Sequence, residues 1–149
     1  MSESNLTILL EQQTDYQFLI KFPHDKIPSL VTDEGEPLGK GEGPSPSHML
    51  AVAIANCLSA SLLFALRKFK NQPEPVKAAV HLELARNEAN RLRIGRIQVD
   101  IQVGQSAEML THLDRILETF EDFCVVTQSV RSGFPINVTV TDSNGKVLK

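Results

Sequence analysis

The chain has 149 residues, of which 42% are hydrophobic, the size and composition of one globular domain with a core, so a single domain over residues 1–149 is expected. Lys and Arg number 15 against 18 Asp and Glu, a net charge of −3, which offers no field for a phosphate backbone and argues against a nucleic-acid partner. The opening MSESNLTILLEQQ lacks the basic, apolar and small-residue order of a secretory signal. A cytoplasmic location is therefore expected, where two cysteines need not form a disulfide.

Two alternating segments come first. Leu6 to Glu11 is followed, after Gln-Gln-Thr-Asp, by Tyr16, Phe18, Ile20 and Phe22 on one face with Gln17 and Lys21 on the other, the pattern of a hairpin. From Pro23 to Pro46 the chain is rich in Pro, Gly and charge, and reads as a surface loop with a short strand near Leu30 and Val31.

PSPSH then opens a long helix. Pro46 suits a first turn, Ser45 or Ser47 can cap, and Arg67, Lys68 and Lys70 favour the negative end. Apolar residues from Met49 to Leu66 cover most of its circumference, which predicts a central, buried helix stopped by Pro73 and Pro75. The run is long enough to suggest a membrane span, but Asn56, Cys57, Ser59 and Ser61 interrupt it, so no membrane partner is expected.

Val80, Leu82 and Leu84 alternate with His81 and Glu83, and Asn87 to Asn90 turn the chain into a second strand beginning near Leu92. In that strand Leu92 and Ile94 occupy even positions, while Ile97, Val99, Ile101 and Val103 occupy odd ones. A bulge at Gly95-Arg96 would account for the slip. A second helix is expected from Ser106, with Met109, Leu110, Leu113, Ile116, Leu117, Phe120 and Cys124 on one stripe, directing Cys124 toward the core. Gly133 closes the helical region, and Ile136, Val138 and Val140 alternate in a last strand.

Two cysteines on two buried helices could make a dithiol site, or could be small core hydrophobes that never meet. Other chemistries find little support. Gly39-Lys40-Gly41-Glu42-Gly43 lacks the Lys-Ser/Thr that ends a phosphate loop, and the four histidines form no i, i+4 pair and no C-x-x-C exists, so no metal site is expected. Arg86, Arg91, Arg93 and Arg96 gather around one hairpin, where a solvated turn is the simpler reading.

Gly43-Pro44-Ser45-Pro46, then Met49-Leu50, small residues at Ala51, Ala53 and Ala55, and Cys57 resemble the OsmC/Ohr family. Cys124-Val125-Val126-Thr127, the following Gly-Phe-Pro and the final strand match its later part. The resemblance implies an α+β fold in which curved antiparallel sheets pack around a long central helix and a second, cysteine-bearing helix, as an intertwined homodimer. It implies a thiol-dependent peroxidase for organic hydroperoxides: Cys57 becomes a sulfenic acid, Cys124 resolves it, and an external dithiol reductant of lipoyl or thioredoxin type restores the pair. No cofactor is implied, since sulfur carries both electrons.

The family's hydroperoxide reductases activate the attacking thiol with an N-terminal arginine held by a glutamate just after the motif proline. Here the first arginine is Arg67, and Ser47 and His48 follow Pro46. His48, Lys21, His24, Lys26 and Lys40 are the candidate substitutes, with Glu121 and Asp122 as possible anchors for such a cation. Leu50, Ile54, Leu58 and Phe64, around Cys57 on the helix, are the candidate substrate pocket. Without the arginine and glutamate, a binding module or slow redox sensor on the same fold is the alternative function.

Overall fold

The computed structural model describes residues 5–133 and 136–149. Its fold is α+β, with small antiparallel sheets and three α-helices. The chain divides into two compact units. One holds the chain up to Asn56 together with Ala78–Gln102, and the other holds Cys57–Lys77 together with Val103–Lys149.

In the first unit, strands β1 (Leu9–Thr14), β2 (Gln17–Lys21) and β3 (Leu30–Thr32) form a sheet in the order β1-β2-β3. Leu10 pairs with Ile20 and Glu11 with Leu19, and the register shifts between Gln12 and Thr14. The expected turn Gln-Gln-Thr-Asp is shorter in fact. Gln12 to Thr14 join β1, because the ladder is made by backbone groups and accepts polar side chains, and Asp15 takes the positive φ of 46° that the tight turn needs. Lys21 Nζ meets Glu11 Oε2 at 2.8 Å on the sheet surface.

The glycine-rich loop after β3 is organised by its own carboxylate. Asp33 is buried and accepts the N–H groups of Glu34 (2.8 Å), Lys40 (3.2 Å) and Glu42 (3.1 Å), and these bonds hold its carboxyl below the usual range. Donors that a phosphate loop would turn toward a ligand are spent on Asp33. A Cβ at Gly43 would collide with the Val31 carbonyl, so glycine is required where the loop returns against β3.

Helix α1 spans Pro46–Lys68. Ser45 Oγ accepts the His48 N–H (3.4 Å) while His48 Nδ1 accepts the Ser45 N–H (3.0 Å), a reciprocal cap in which histidine takes the place usually held by Glu or Gln. The helix ends before either proline. Lys70 enters the left-handed region at φ 63°, with Asn71 N–H bonded to the Leu66 carbonyl (3.1 Å) and Lys70 N–H to that of Arg67 (2.8 Å), the paired closure usually made with glycine. Ala51, Ala55, Leu58, Leu62 and Leu66 are buried along one face at helical spacing. With a mean hydropathy of 2.2, α1 has the length and composition to cross a membrane, but this face is the repeat of a core helix.

Strands β4 (Lys77–Arg86) and β5 (Leu92–Gln102) form a two-stranded sheet. Asn87 N–H bonds the Arg91 carbonyl (3.0 Å) and Asn90 takes φ 57° in the turn. Ile97, Val99 and Ile101 share the half-buried face of β5, an unbroken strand, whereas Leu92 and Ile94 are exposed.

In the second unit the expected long helix is four short pieces. A 3-10 turn at Ala107–Met109 is followed by α2 (Leu113–Thr119), a further 3-10 stretch at Phe120–Phe123, and α3 (Val125–Ser132). His112, at φ 58°, breaks the path before α2. Cys124 therefore does not end a helix but stands at the N-cap of α3. The end of α1 is fastened to this segment by buried Asn71, whose Nδ2 donates to the Thr111 carbonyl (3.0 Å) and whose Oδ1 accepts the Thr111 N–H (2.8 Å).

The last strand expected from the alternation is not formed. Residues 136–139 have no strand partner among the described residues, and Ile136 is 78% exposed. A strand exists only where a neighbouring edge takes its N–H and C=O groups. The chain ends in a small closure, with Thr141 bridged to Val147 and Asp142 Oδ1 accepting the N–H groups of Asn144 and Lys146 (2.9 Å each). Phe134 and Pro135 of the Gly-Phe-Pro motif lie outside the described residues.

Candidate thiol site

Cys57 and Cys124 come together within the second unit, both as free thiols. Cys57 sits midway along α1, half-buried, one residue before the core position Leu58 and therefore about 100° away from it around the helix. Cys124 is 0% exposed. The two thiols are close enough to act on each other's charge, and Ser61, one turn beyond Cys57, acts on both.

The start of α3 supplies the remaining donors. Cys124 Sγ and Thr127 Oγ1 lie 3.1 Å apart. The thiol donates across that contact, and the hydroxyl donates once the sulfur is an anion. Thr127 N–H acts on the Cys124 sulfur and Val126 N–H on that of Cys57. The Thr127 N–H falls short of the geometry of a side-chain cap, so its pull on the sulfur is chiefly electrostatic.

These contacts separate the two thiols. Burial pushes Cys124 up, but the Thr127 hydroxyl, Cys57, the Thr127 N–H and Ser61 together hold it below its ordinary value. Burial also pushes Cys57 up. The neighbouring Cys124 and its charge add to that, and the Val126 N–H and Ser61 do not offset it. The donors at the start of α3 thus favour the charged form of Cys124 over that of Cys57.

Cys57 opens onto a cavity of about 640 Å³. The aromatic wall is Phe64, Phe69, Phe120 and Phe123, with Ala60 and Ile116 beneath. Lys68 and Arg115 also line it, and the Arg115 guanidinium stands 6.0 Å from the Phe69 ring centroid. Size and apolar lining suit an organic molecule.

Of the pocket residues read from the sequence, Phe64 lines this cavity and is 71% exposed, while Ile54 and Leu58 are core and Leu50 is half-buried elsewhere on α1. The suggested activating cations lie in the first unit: His48 is engaged in the α1 cap, Lys21 is paired with Glu11, the Lys40 backbone serves Asp33, and His24 and Lys26 lie in the exposed loop after β2. None of them is among the groups that act on the Cys57 sulfur. Glu121 bonds Arg131 at 2.6 Å, and Asp122 follows it in the 3-10 stretch. Residues that sequence reasoning missed are Ser61, Lys68, Arg115 and Thr127. The first two could have been found, since Cys57, Ser61, Phe64 and Lys68 recur at i, i+4, i+7 and i+11, one stripe of a helix. Among the described residues no group of three or more His, Cys, Asp or Glu side chains could hold a metal ion.

Comparison with known proteins places this arrangement in context. The family model of OsmC-like proteins matches residues 39–139. A search of curated proteins finds no match. Solved structures with the same fold include an osmotic stress induced and detoxification response protein of Psychrobacter arcticus, at 21% identity and TM-score 0.69, covering 86% of this chain and 90% of that one. An OsmC-like protein of Mycoplasma pneumoniae aligns at 14% identity and TM-score 0.68 over 94% and 98% of the two chains. The organic hydroperoxide resistance protein OsmC of Legionella pneumophila aligns at 12% identity and TM-score 0.63 over 87% and 92%. With two thirds of its length matched by the family model and its fold shared with these structures, the chain belongs to the OsmC-like protein family.

Proposed function

We propose that the protein is a thiol peroxidase that reduces organic hydroperoxides at Cys57 with Cys124 as its resolving partner. One observation carries this reading: the accessible sulfur of two neighbouring, interacting thiols faces an apolar cavity of organic-molecule size. The resistance to organic hydroperoxides ascribed to the Legionella pneumophila relative agrees with it.

The proton inventory of the pair suggests the course of the reaction. Cys124, as the thiolate, takes the proton of Cys57 as Cys57 attacks the terminal peroxide oxygen. The O–O bond breaks, Cys57 becomes a sulfenic acid, and the departing alkoxide takes the proton from Cys124 and leaves as the alcohol. Cys124, a thiolate again, attacks the Cys57 sulfur, forms the disulfide and expels hydroxide. An external dithiol of lipoyl or thioredoxin type returns two electrons by exchange, so the cycle needs no metal or organic cofactor. In this scheme the Cys124 thiolate supplies the negative charge, and the Lys and His candidates of the first unit are not required.

The working form is proposed to be a cytoplasmic homodimer. Residues 136–139, without a strand partner among the described residues, and the exposed apolar side chains of β1, β4 and β5 are surface that a second copy can cover. Mixing reduced protein with cumene hydroperoxide and titrating free thiols tests the function. Both thiols should be lost together with formation of one intramolecular disulfide, and Cys57→Ser should leave the peroxide unconsumed. Peroxide consumption by Cys57→Ser would overturn the assignment.

The raised position of the Cys57 thiol favours a second reading, a slow redox sensor or binding module on the same fold. Millimolar peroxide acting over hours rather than seconds would support that reading instead.

A further inference from the structure

The proposed cycle asks the buried thiol for a proton that it cannot hand over directly. The alkoxide departs into the cavity at Cys57, yet Cys124 is 0% exposed and forms no part of the cavity wall. Thr127, bonded to Cys124, is buried as well and also stands outside the wall. A proton on Cys124 therefore needs a carrier that reaches both the buried sulfur and the open space.

Ser61 has that position. It lines the cavity beside Cys57. It lies four residues beyond Cys57 on the same face of α1, a rise of about 6 Å, and helix side chains lean toward the N-terminus, which carries its hydroxyl back toward the Cys57 sulfur. It also acts on the Cys124 sulfur. The other protic groups of the wall are engaged or distant. The Thr119 hydroxyl donates to the Arg115 carbonyl at 2.9 Å, the Arg115 guanidinium stands against the Phe69 ring, and Lys68 is roughly 16 Å of helix rise from Cys57. A hydroxyl can accept a proton on one lone pair while it gives up its own, so it passes a proton along and ends unchanged.

We propose that the Ser61 hydroxyl is a catalytic proton relay, a role that rests on the peroxidase reading above. It gives its proton to the oxygen departing from the peroxide and takes one from Cys124 in the same step. The Cys57 sulfur forms a bond to the terminal oxygen, and the O–O bond breaks with both electrons going to the departing oxygen. The proton that began on Cys57 passes through Cys124 and Ser61 to the alcohol. Cys124 is then a thiolate that can attack the sulfenic acid, and Ser61 is a hydroxyl again.

The leaving group provides the test. Cumene hydroperoxide must expel an alkoxide, which needs a proton, whereas perbenzoic acid expels a carboxylate, which does not. Single-turnover thiol loss with each oxidant is followed by rapid quench and alkylation, in the native protein and in Ser61→Ala, a substitution that suits a helix interior. Cumene hydroperoxide should react about a hundredfold more slowly with the variant, the usual size of proton-transfer assistance, and perbenzoic acid within about threefold of the native rate. Equal slowing with both oxidants would make Ser61 structural, and an unchanged rate with cumene hydroperoxide would give the proton another route. Either result sinks the relay, while rapid reduction of cumene hydroperoxide by the native protein would keep the peroxidase reading in place. If the native protein leaves cumene hydroperoxide unreduced, the peroxidase reading falls and takes the relay with it.

Discussion

The two cysteines occupy opposite kinds of position in a helix. Cys57 lies deep inside α1, where the surrounding backbone N–H groups are already bonded along the helix. Cys124 stands at the beginning of α3, where the first N–H groups have no partner within the helix. The consequence runs against exposure. The fully buried sulfur is the one held low, and the more accessible sulfur is pushed up. What decides a thiol's charge here is the supply of donors and not contact with water, since desolvation acts on both and is outweighed at only one.

The sharpest way to break this contrast is to remove its anionic half. On the proposed scheme, Cys124→Ser leaves Cys57 without a base and without a resolving partner. Steady-state peroxide reduction should drop a hundredfold or more, by the usual size of acid–base assistance, while a sulfenic acid on Cys57 remains trappable with dimedone. Rapid turnover by this variant would show that Cys57 ionises unaided.

A gentler change addresses the donors alone. Thr127→Val keeps the shape but deletes the hydroxyl bonded to Cys124 Sγ. The Cys124 pKa should move up toward the ordinary value of a thiol. In the proposed scheme the active form carries one negative charge on the pair, so the rate should rise with pH through the Cys124 pKa. In the variant that rise should occur at higher pH, with the rate at pH 7 lowered about tenfold. A stopped-flow pH–rate profile reads the midpoint, and an unmoved midpoint would assign the charge elsewhere.

The smallest expected effect on chemistry comes from the fastening between α1 and the segment before α2. Asn71→Ala deletes both bonds to the Thr111 backbone and leaves buried polar groups unpaired, which should cost about 2 kcal/mol in urea unfolding. Because the substitution does not touch the start of α3, the thiol titration should keep its midpoint. A shift would mean that the Thr127 donors depend on that fastening.

Much of the fold is legible in the chain itself. The first hairpin, the long helix after PSPSH and the β4–β5 hairpin announce themselves through period and turn residues, since Ile20, Leu58 or Val99 can be placed by counting. The breaks between residues 105 and 132 are hidden for a physical reason. That stretch contains no Gly or Pro, and 3-10 turns carry the apolar stripe onward while redirecting the backbone N–H groups, so the stripe reads as one helix. The N-cap position of Cys124, on which the electrostatics depend, is lost with them. The pocket is misread by one residue's rotation, since Leu58 follows Cys57 in sequence but faces the core. Alternation at Ile136, Val138 and Val140 is visible, but the partner edge that a strand requires is not encoded locally.

The separation of faces on α1 has a further consequence. Ala51, Ala55, Leu58, Leu62 and Leu66 hold the helix in place, while Cys57, Ser61, Phe64 and Lys68 run along a neighbouring stripe. Exposed positions such as 64 and 68 can therefore change with little loss of packing. The lining of the cavity can therefore be rewritten on residues that the foldedness of the helix does not require.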